Sequence, residues 1–396
     1  MEGTLWRVDD PCFTRDHGAF LSSEVAAGDP DCAAKIVESF AGTKLAHVLL
    51  FASPRSDFTR LVEALSSALT CPVVGCTSAG EIGRTGYVED HVVAVGLPSR
   101  NFAARTVLIE DLATADLSAT VDILIQNRVV LRTTNHSKPN GFSFLLVDGL
   151  SRREDELVNA IAPSLAGFPL FGGSAGDGLR FGNTYVSLNG RVYENAATVT
   201  FVATNYEARP FSINHMNPTS TRMVVTAADP VRRVVKGIND EPAAAEYARL
   251  IGKDPAQLDE MIFAAHPVTV RIGADYHVRA IQRVNEDGDL AFFSAIDEGM
   301  VLTVAEPQDM ADHLDREITA LINGHPAPSI LGFDCVLRRI EALKSQSMHR
   351  VNTVFRKHGI VGFSGYGEQI GPLHLNHTMT GVALFPPPAT GRGGRA

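Results

Sequence analysis

The sequence has few cysteines and no membrane-spanning run. Its five cysteines are scattered and include no CxxC pair, which excludes a zinc ribbon and a covalently attached c-type haem. No segment approaches the roughly 20 apolar residues of a membrane span, and the first residues lack the basic start and apolar stretch of a signal peptide. We therefore expect a cytoplasmic protein with buried, unpaired thiols.

Basic residues are also scarce. Lys and Arg total 35 against 45 Asp and Glu, giving a formal net charge of -10. Nucleic-acid binders and proteins held on anionic lipid need concentrated positive charge, so neither partner is expected. The local pairs Arg152-Arg153 and Arg232-Arg233 are interpreted as solvated faces. With 45% hydrophobic residues in 396, the chain can form two or three domains.

Strand and helix signals alternate in the first half. A buried strand at 46–52, a helix at 57–69 and a strand at 72–75 are followed by the same order at 141–148, 153–165 and 169–171. Asn189-Gly190 predicts a hairpin between strands at 184–188 and 197–203. We predict an α/β fold of layered sheets and helices, with a duplicated strand-helix-strand N-terminal region.

The pattern changes after residue 229. An Ala-rich helix, alternating strands over 268–284, and a later helix-strand-helix series predict a smaller α+β C-terminal region. The predicted domains are 15–228 and 229–386. The Pro- and Gly-rich residues 387–396 are expected to form a disordered tail.

Two glycine-rich turns follow apolar strands. PVVGCTSAGEIG at 72–83 and PLFGGSAGDG at 169–178 share Ser-Ala-Gly and an acid, which aligns Ser78 with Ser174. A third relative at 361–368 again places glycine and an acid after an apolar run. We interpret the first two as equivalent points of a duplicated unit.

Glycine-rich turns of this kind occur in phosphate-binding loops and at the nucleophile of serine hydrolases. None has the lysine of a Walker loop, but Gly172 to Gly176 meets GxSxG and makes Ser174 a candidate nucleophile. In a nucleophile elbow a helix must directly follow the serine, whereas a loop and a strand are expected after Ser174. Glycine can instead let a backbone approach a ligand while an acid caps free amides; a purely structural tight bend stays open. The candidate ligand-binding residues of these two turns are Gly80, Glu81, Gly173, Ser174, Gly176 and Asp177.

The segment 362–385 is rich in polar side chains and adds Tyr366, Glu368 and Asn376 to the candidate ligand-binding residues. His374 and His377 are three apart, which places them on opposite faces of a strand and argues against a two-histidine metal site. One imidazole alone could still bind iron while its second nitrogen donates to a partner.

These motifs make the chain resemble the FIST sensory family. The matching segments are 74–81, 171–177, Gly367-Glu368 and 375–378, together with Asn239 to Ala243, where Asn-Asp stands in place of the family's common Asp-Gly. The resemblance implies a two-part, non-enzymatic ligand-sensing module in signal transduction. Small molecules such as amino acids are proposed as its ligands.

The segments 331–339 and 361–369 are similar to the nitric-oxide-sensing, haem-binding branch of the family. This implies haem b and a separate histidine kinase or cyclic-di-GMP enzyme regulated in trans. The sequence leaves open whether the chain forms an oligomer. Haem needs an apolar slot, an iron ligand and cations for its propionates. The candidate ligands are His374, slightly preferred, His377, His215 and His266; the candidate propionate partners are Arg338 and Arg339.

Three functions follow from the sequence. The first is a haem-based nitric oxide sensor. The second is a sensor of a small organic ligand without haem, in which Glu81, Asp177 and Glu368 orient an amine or hydroxyl. The third is a serine hydrolase-like enzyme using Ser174.

Overall fold

The computed structural model describes residues 12–387, which contain 27 β-strands and nine α-helices. The mixed α/β class predicted from the sequence is confirmed. Within these residues, no helix has both the length and the apolar character needed to cross a bilayer. The tail predicted at 387–396 lies, apart from its first residue, outside the described residues.

The strands are, in chain order, β1 (Cys12–Asp16), β2 (Leu21–Ala26), β3 (Leu45–Ala52), β4 (Val73–Thr77), β5 (Glu81–Gly83), β6 (Gly86–Val88), β7 (His91–Pro98), β8 (Phe102–Ile109), β9 (Asn140–Val147), β10 (Leu170–Ser174), β11 (Val186–Leu188), β12 (Arg191–Tyr193), β13 (Ala197–Thr204), β14 (Glu207–Ile213), β15 (Met216–Asp229), β16 (Val234–Ile238), β17 (Glu241–Pro242), β18 (Val268–Ile272), β19 (Asp275–Arg279), β20 (Ile281–Val284), β21 (Leu290–Phe292), β22 (Val301–Pro307), β23 (Ser329–Cys335), β24 (Ile360–Gly365), β25 (Glu368–Ile370), β26 (Leu373–Leu375) and β27 (Met379–Phe385). The helices are α1 (Cys32–Ser39), α2 (Phe58–Ala68), α3 (Leu117–Thr134), α4 (Glu154–Ile161), α5 (Ala243–Leu250), α6 (Glu260–Ala265), α7 (Met310–Ile322), α8 (Val336–Lys344) and α9 (Met348–His358).

Local sequence explains several of these boundaries. The Asp57 and Asp116 side chains accept backbone N–H bonds at the starts of α2 and α3, which satisfies amides that a helix leaves free. Helix α9 ends at Gly359, which has φ +63 and closes the helix in the left-handed conformation. Caps and apolar spacing thus fix where many elements begin and end.

Three of the four sheets are built alike. Their strand orders are β1-β2-β7-β3-β4-β11-β12 in the first sheet, β8-β13-β9-β10-β25-β26 in the second, and β14-β27-β23-β24-β5-β6 in the third. In each, a parallel pair lies at the centre: β3 with β4, β9 with β10, and β23 with β24. The chain therefore contains three units of one plan, which extends the predicted duplication to a third copy.

Each unit runs through a first strand that pairs with the return strand, the parallel pair with its helical crossover, a glycine turn, a hairpin and the return strand. The hairpin does not join its own sheet. Hairpin β5-β6 pairs with β24, β11-β12 pairs with β4, and β25-β26 pairs with β10. Every unit thus donates a hairpin to another unit, and the three exchanges close a ring.

The predicted hairpin at Asn189-Gly190 is present but connects different strands. Both residues have positive φ, 49 and 85, as a tight two-residue turn requires. The turn joins β11 to the short β12, whereas β13, at 197–203 in the prediction, lies in another sheet. The Asn-Gly pair therefore located the turn correctly, but the second strand of the hairpin is β12 and not β13.

The fourth sheet is an insertion in the third unit. All its strands, β15 to β22, lie between β14 and α7. Its core includes Met223, Val235, Tyr247 and Leu302, and we call this part the inserted domain. The domain boundary predicted at 228/229 falls within β15 of this sheet and stays a prediction.

The three sheets share one aromatic core. Phe363 packs 4.7 Å from Phe51 and 4.8 Å from Phe333, and Phe333 packs 5.1 Å from Phe171, measured between ring centroids. These rings come from all three sheets, whose outer faces are covered by helices. Burial of this shared surface joins the units.

The three glycine turns meet where the parallel strands end. One turn's N–H bonds to the carbonyl of the next in each case: Ala79 to Ser364 at 2.8 Å, Tyr366 to Ser174 at 3.1 Å, and Gly176 to Thr77 at 3.0 Å. Strand register makes Thr77, Ser174 and Ser364 equivalent. The Ser78 to Ser174 alignment from sequence is therefore shifted by one residue.

The contact between turns leaves no room for side chains. A Cβ on Gly365 would collide with the Ser174 carbonyl oxygen, and one on Gly176 would lie 2.8 Å from the Ala79 nitrogen. The glycines thus serve close approach of one turn to another.

We predict that Gly365→Ala destabilises the protein by about 1–3 kcal/mol, because backbone must move to relieve the overlap. Urea unfolding measures the change. Gly28→Ala is the matched control, since nothing lies within 4 Å of its added Cβ. Equal stability of the two variants would contradict the close contact of the turns.

Candidate functional site

The junction of the three turns lies at the carboxyl ends of parallel strands, where α/β proteins commonly bind ligands. It gathers the sequence-predicted Gly80, Gly173, Ser174, Gly176 and Asp177 with the turn containing Tyr366. The structure therefore brings these candidate residues together at one place. Their role as ligand contacts stays a prediction.

Asp177 organises the loop that follows its turn. Its carboxylate accepts the backbone N–H groups of Phe181 at 2.8 Å, Gly182 at 2.8 Å and Asn183 at 3.0 Å, and it accepts the Tyr366 hydroxyl proton. These contacts use the acceptor capacity of the carboxylate. Asp177 thus holds this loop in place by accepting its free backbone amides. This is one of the roles that the sequence analysis left open for the acid of the turn.

Glu81 and Glu368 occupy equivalent positions. Glu81 pairs with Phe363 and Glu368 with Gly173, while the hairpin of the second unit places Val186 opposite Cys76. Burial raises the pKa of Glu81 to about 8, although the Ser78 hydroxyl donates to it. Burial also raises the pKa of Glu368 well above its ordinary range. Both carboxyls are enclosed inside the protein.

Two cavities flank the junction. The larger, about 900 Å³, lies beside Gly149 and Tyr366 and is bounded on its other side by Arg232, Lys236 and Arg283 of the inserted domain. We call it the cleft. The smaller, about 400 Å³, lies beside Gly80 and is lined by Arg55, Leu179, Arg180, Arg339, Ile340 and Leu343. We call it the arginine pocket.

Two protein-family models match most of the chain. The FIST N domain model matches residues 46–241, and the FIST C domain model matches residues 243–371. The chain belongs to the FIST family. It is therefore a ligand-sensing signalling protein, and the predicted family resemblance is confirmed. No curated protein matches the chain.

The FIST models divide the chain differently from its three units. The FIST N match ends at residue 241, in β17, and the FIST C match begins at residue 243, the first residue of α5, so both limits lie inside the inserted domain. The third unit therefore begins in the FIST N part and continues in the FIST C part, and its return strand β27 follows the end of the FIST C match at residue 371. The boundary between the two family models therefore does not coincide with a boundary between structural units, because β14 pairs with β27 across the insertion.

Two candidate histidines belong to one buried polar cluster. His215 Nδ1 lies 2.8 Å from Arg338 Nη1, and its Nε2 lies 2.9 Å from Glu341. His377 Nε2 lies 3.3 Å from the same Glu341 carboxylate. Arg338 is fully buried and pairs with Asp334 at 2.7 Å. This cluster links α8 to the point where the chain leaves for the inserted domain.

Burial, aided by the charge of Arg338, lowers the pKa of His215 to about 4 despite the opposing hydrogen bond to Glu341, so His215 is neutral at neutral pH. Burial raises the pKa of Glu341, but hydrogen bonds from His215 and His377 outweigh burial and lower it to about 2. The neutral His215 ring thus donates through Nε2 and accepts from Arg338 through Nδ1. Both nitrogens are used.

The other two candidate histidines lie elsewhere. His374, in β26, is buried and its Nδ1 lies 3.1 Å from the Gln369 amide. His266 ends α6 in the inserted domain, where its carbonyl accepts the Tyr247 hydroxyl. Among residues 12–387, no three His, Cys, Asp or Glu side chains are arranged to hold a metal ion.

In the described part of the chain, the candidate haem residues do not surround either of the two cavities. His215 has no free nitrogen, and neither the cleft nor the arginine pocket is lined by any of the four histidines. Arg338 is enclosed in its ion pair, while Arg339 lines the arginine pocket and donates to the Ala79 carbonyl at 2.6 Å. The haem ligand and propionate assignments stay predictions.

Among residues 12–387, the Ser174 hydroxyl forms no hydrogen bond to a side chain that could act as a base. Gln369 Nε2 donates to Ser174 Oγ at 3.0 Å and separates it from the His374 ring. The residues that follow Ser174 form a loop and then β11, as expected from the sequence. The position lacks the helix that a nucleophile elbow requires.

Sequence reasoning missed the residues that join the cleft's two sides. Arg233, interpreted as solvated, is 6% exposed and donates to Glu154 at 2.8 Å. Phe181 stacks on Tyr366 with ring centroids 4.5 Å apart and lies 6.0 Å from Phe293. The pair of arginines was a visible signal, but their partners are far away in sequence.

Glu81 should make stability depend on pH. The pKa of the Glu81 carboxyl is about 8 in the folded protein, whereas its ordinary value is 4.5. Between these two pH values the folded state therefore binds more protons than the unfolded state. Stability contributed by the protonated group is full below pH 4.5 and is lost as pH rises through about 8, with a slope of up to about 1.4 kcal/mol per pH unit.

Glu81→Gln should therefore unfold at a higher temperature than the parent at pH 8 and differ little at pH 5, because the amide cannot ionise. Calorimetry at both values measures the difference. Glu63→Gln, at an exposed position of α2, is the control. An equal effect of Glu81→Gln at both pH values would show that Glu81 is not held protonated.

Proposed function

We propose that this FIST protein senses a small polar organic molecule, such as a free amino acid, in the cleft. The main support for this proposal is the position and size of the cleft, which lies between the three-unit core and the inserted domain and has a volume of about 900 Å³. Ligand sites favour such boundaries and have volumes of about 300–1,000 Å³. A molecule there would contact both parts of the protein at once.

The charges of the cleft support a ligand with groups of both signs. Its lining contains the cations Arg152, Arg232, Lys236 and Arg283 and the anions Asp229, Glu286, Asp287 and Asp289. A carboxylate is suited to a guanidinium, and an ammonium to a carboxylate. The predicted acids Glu81 and Glu368 are enclosed and Asp177 anchors its loop, so the cleft's own acids are better placed to receive an amine.

Signal transmission would use the contacts between the inserted domain and the core. Arg233 donates to Glu154 at 2.8 Å and to Asp155 at 3.3 Å, and Arg279 donates to the His374 carbonyl at 2.9 Å. A ligand that contacts both sides more favourably in one relative arrangement shifts the population toward it. This provides a route from binding to signalling without a chemical reaction.

We predict that at least one free amino acid raises the Tm and gives a saturable isotherm by calorimetric titration. Arg283→Ala and Lys236→Ala should each weaken binding about ten-fold, because a charged hydrogen bond is lost. Arg271→Ala, also in the inserted domain but outside the cleft lining, should bind as the parent does. No response to any amino acid, or equal losses in all three variants, would reject this site.

A haem-based nitric oxide sensor is the second candidate. Support comes from His377, whose Nδ1 is buried and has no hydrogen-bond partner among residues 12–387. Iron would reach it only if the turn before β27 opened, because His377 is 1% exposed. Regulation of a histidine kinase or cyclic-di-GMP enzyme in trans, in the cytoplasm, accompanies either candidate as a prediction.

An absorption spectrum of protein purified from haem-replete cells tests this candidate. If His377 binds iron, a Soret band should be present, shift with nitric oxide and disappear in His377→Ala. His266→Ala is the control at a histidine of the inserted domain. The absence of a Soret band would reject haem binding, and a band unchanged in His377→Ala would reject this ligand.

A further inference from the structure

The arginine pocket corresponds to the cleft by the internal symmetry of the fold. The pocket is lined by Ser53 and Arg55, just after β3, and the cleft by Gly149 and Leu150, just after β9. Strands β3 and β9 are the equivalent first strands of the parallel pairs. Two of the three units therefore have a cavity outside the same strand end, where parallel sheets present ligand sites.

The charges of the arginine pocket leave one cation unpaired. Asp90 accepts Arg55 at 3.1 Å, Glu89 accepts Arg339 at 2.5 Å, and Asp177 is used by its loop and by Tyr366. Arg180 donates through Nε to the Asp177 backbone carbonyl at 3.2 Å. It has no carboxylate partner among residues 12–387. Its guanidinium is therefore available to an anion.

The rest of the lining is largely apolar. Leu179 and Leu343 are 60% and 67% exposed, and Val336, Ile340 and Met348 extend the same wall. Exposed aliphatic side chains are stabilised when another apolar surface covers them. The wall and Arg180 together match a molecule with an apolar body and one negative group.

We propose that the arginine pocket is a second binding site, for a small organic acid with an apolar body. Its carboxylate or other anionic group pairs with Arg180, and its apolar part covers Leu179 and Leu343. This site is separate from the cleft and goes beyond the amino-acid sensing proposed above. Its volume of about 400 Å³ suits a small molecule.

One loop borders both sites. Gly178, Leu179 and Arg180 line the arginine pocket, whereas Phe181 lines the cleft. Phe181 has φ +50, a conformation that is costly for a bulky residue, and it is held by Asp177 and by stacking on Tyr366. Movement of Phe181 in the cleft would therefore displace Arg180, so the loop couples the two sites.

The binding site can be tested with 1-anilinonaphthalene-8-sulfonate, an apolar anionic dye whose fluorescence rises on binding. Arg180→Gln should weaken its binding about five-fold, because the ion pair is lost. Leu343→Ser should also weaken it. The neutral analogue N-phenyl-1-naphthylamine should be affected by Leu343→Ser but not by Arg180→Gln.

Ile123→Ser is the matched control, since Ile123 is 48% exposed on α3 and lies outside the pocket lining. Unchanged dye affinity in Arg180→Gln, or an equal loss in Ile123→Ser, would overturn the proposed site. This test does not require a ligand in the cleft. Failure of amino-acid binding and failure of this second site are therefore distinguishable.

Coupling between the cleft and the arginine pocket can be measured separately, as a change in dye affinity caused by a substitution in the cleft. Phe293→Ala removes the inserted-domain neighbour of Phe181 and should change the dye affinity about three-fold or more, whereas Met261→Ala, at an exposed position of the inserted domain outside the cleft lining, should not. Circular dichroism confirms that both variants are folded. Equal dye affinity in the parent and in Phe293→Ala would reject coupling through the loop.

Discussion

Exchange of hairpins around the three glycine turns is the constraint on which the rest of the structure depends. Each turn must pass close enough to the next for backbone hydrogen bonds of 2.8–3.1 Å. That proximity requires glycine at Gly176 and Gly365, where a Cβ would meet neighbouring backbone. Because each hairpin completes another unit's sheet, no unit has its full set of strand pairs alone.

This arrangement explains why the candidate sites lie beside the turns rather than between them. The turns contact one another directly, so the space for a ligand lies outside the adjoining ends of β3 and β9. In the third unit, α8 starts immediately after β23, and its Arg338 and Glu341 take part in the buried cluster with His215. The space outside the first strand of the parallel pair is thus an open cavity in the first and second units. In the third unit, buried charged side chains occupy it.

Charged residues have different roles according to what surrounds them. Arg338 is fully enclosed and can be tolerated because Asp334 and His215 satisfy much of its hydrogen-bonding capacity. Arg233 joins the inserted domain to α4 through Glu154, whereas Arg180 lines a cavity without a carboxylate partner in the described part of the chain. A count of charges cannot distinguish these cases, because the decisive partners are remote along the chain.

The sequence by itself determined the α/β class, many strands and helices, the glycine turns and the family. These depend on apolar spacing, caps and local backbone requirements, which are visible within short windows. Only the tertiary structure decided the one-residue register between Thr77 and Ser174, the exchanged partner of β11, and the stacking of Phe181 on Tyr366. These features depend on contacts between distant segments, whose pairing is selected by burial and hydrogen bonding across the whole fold.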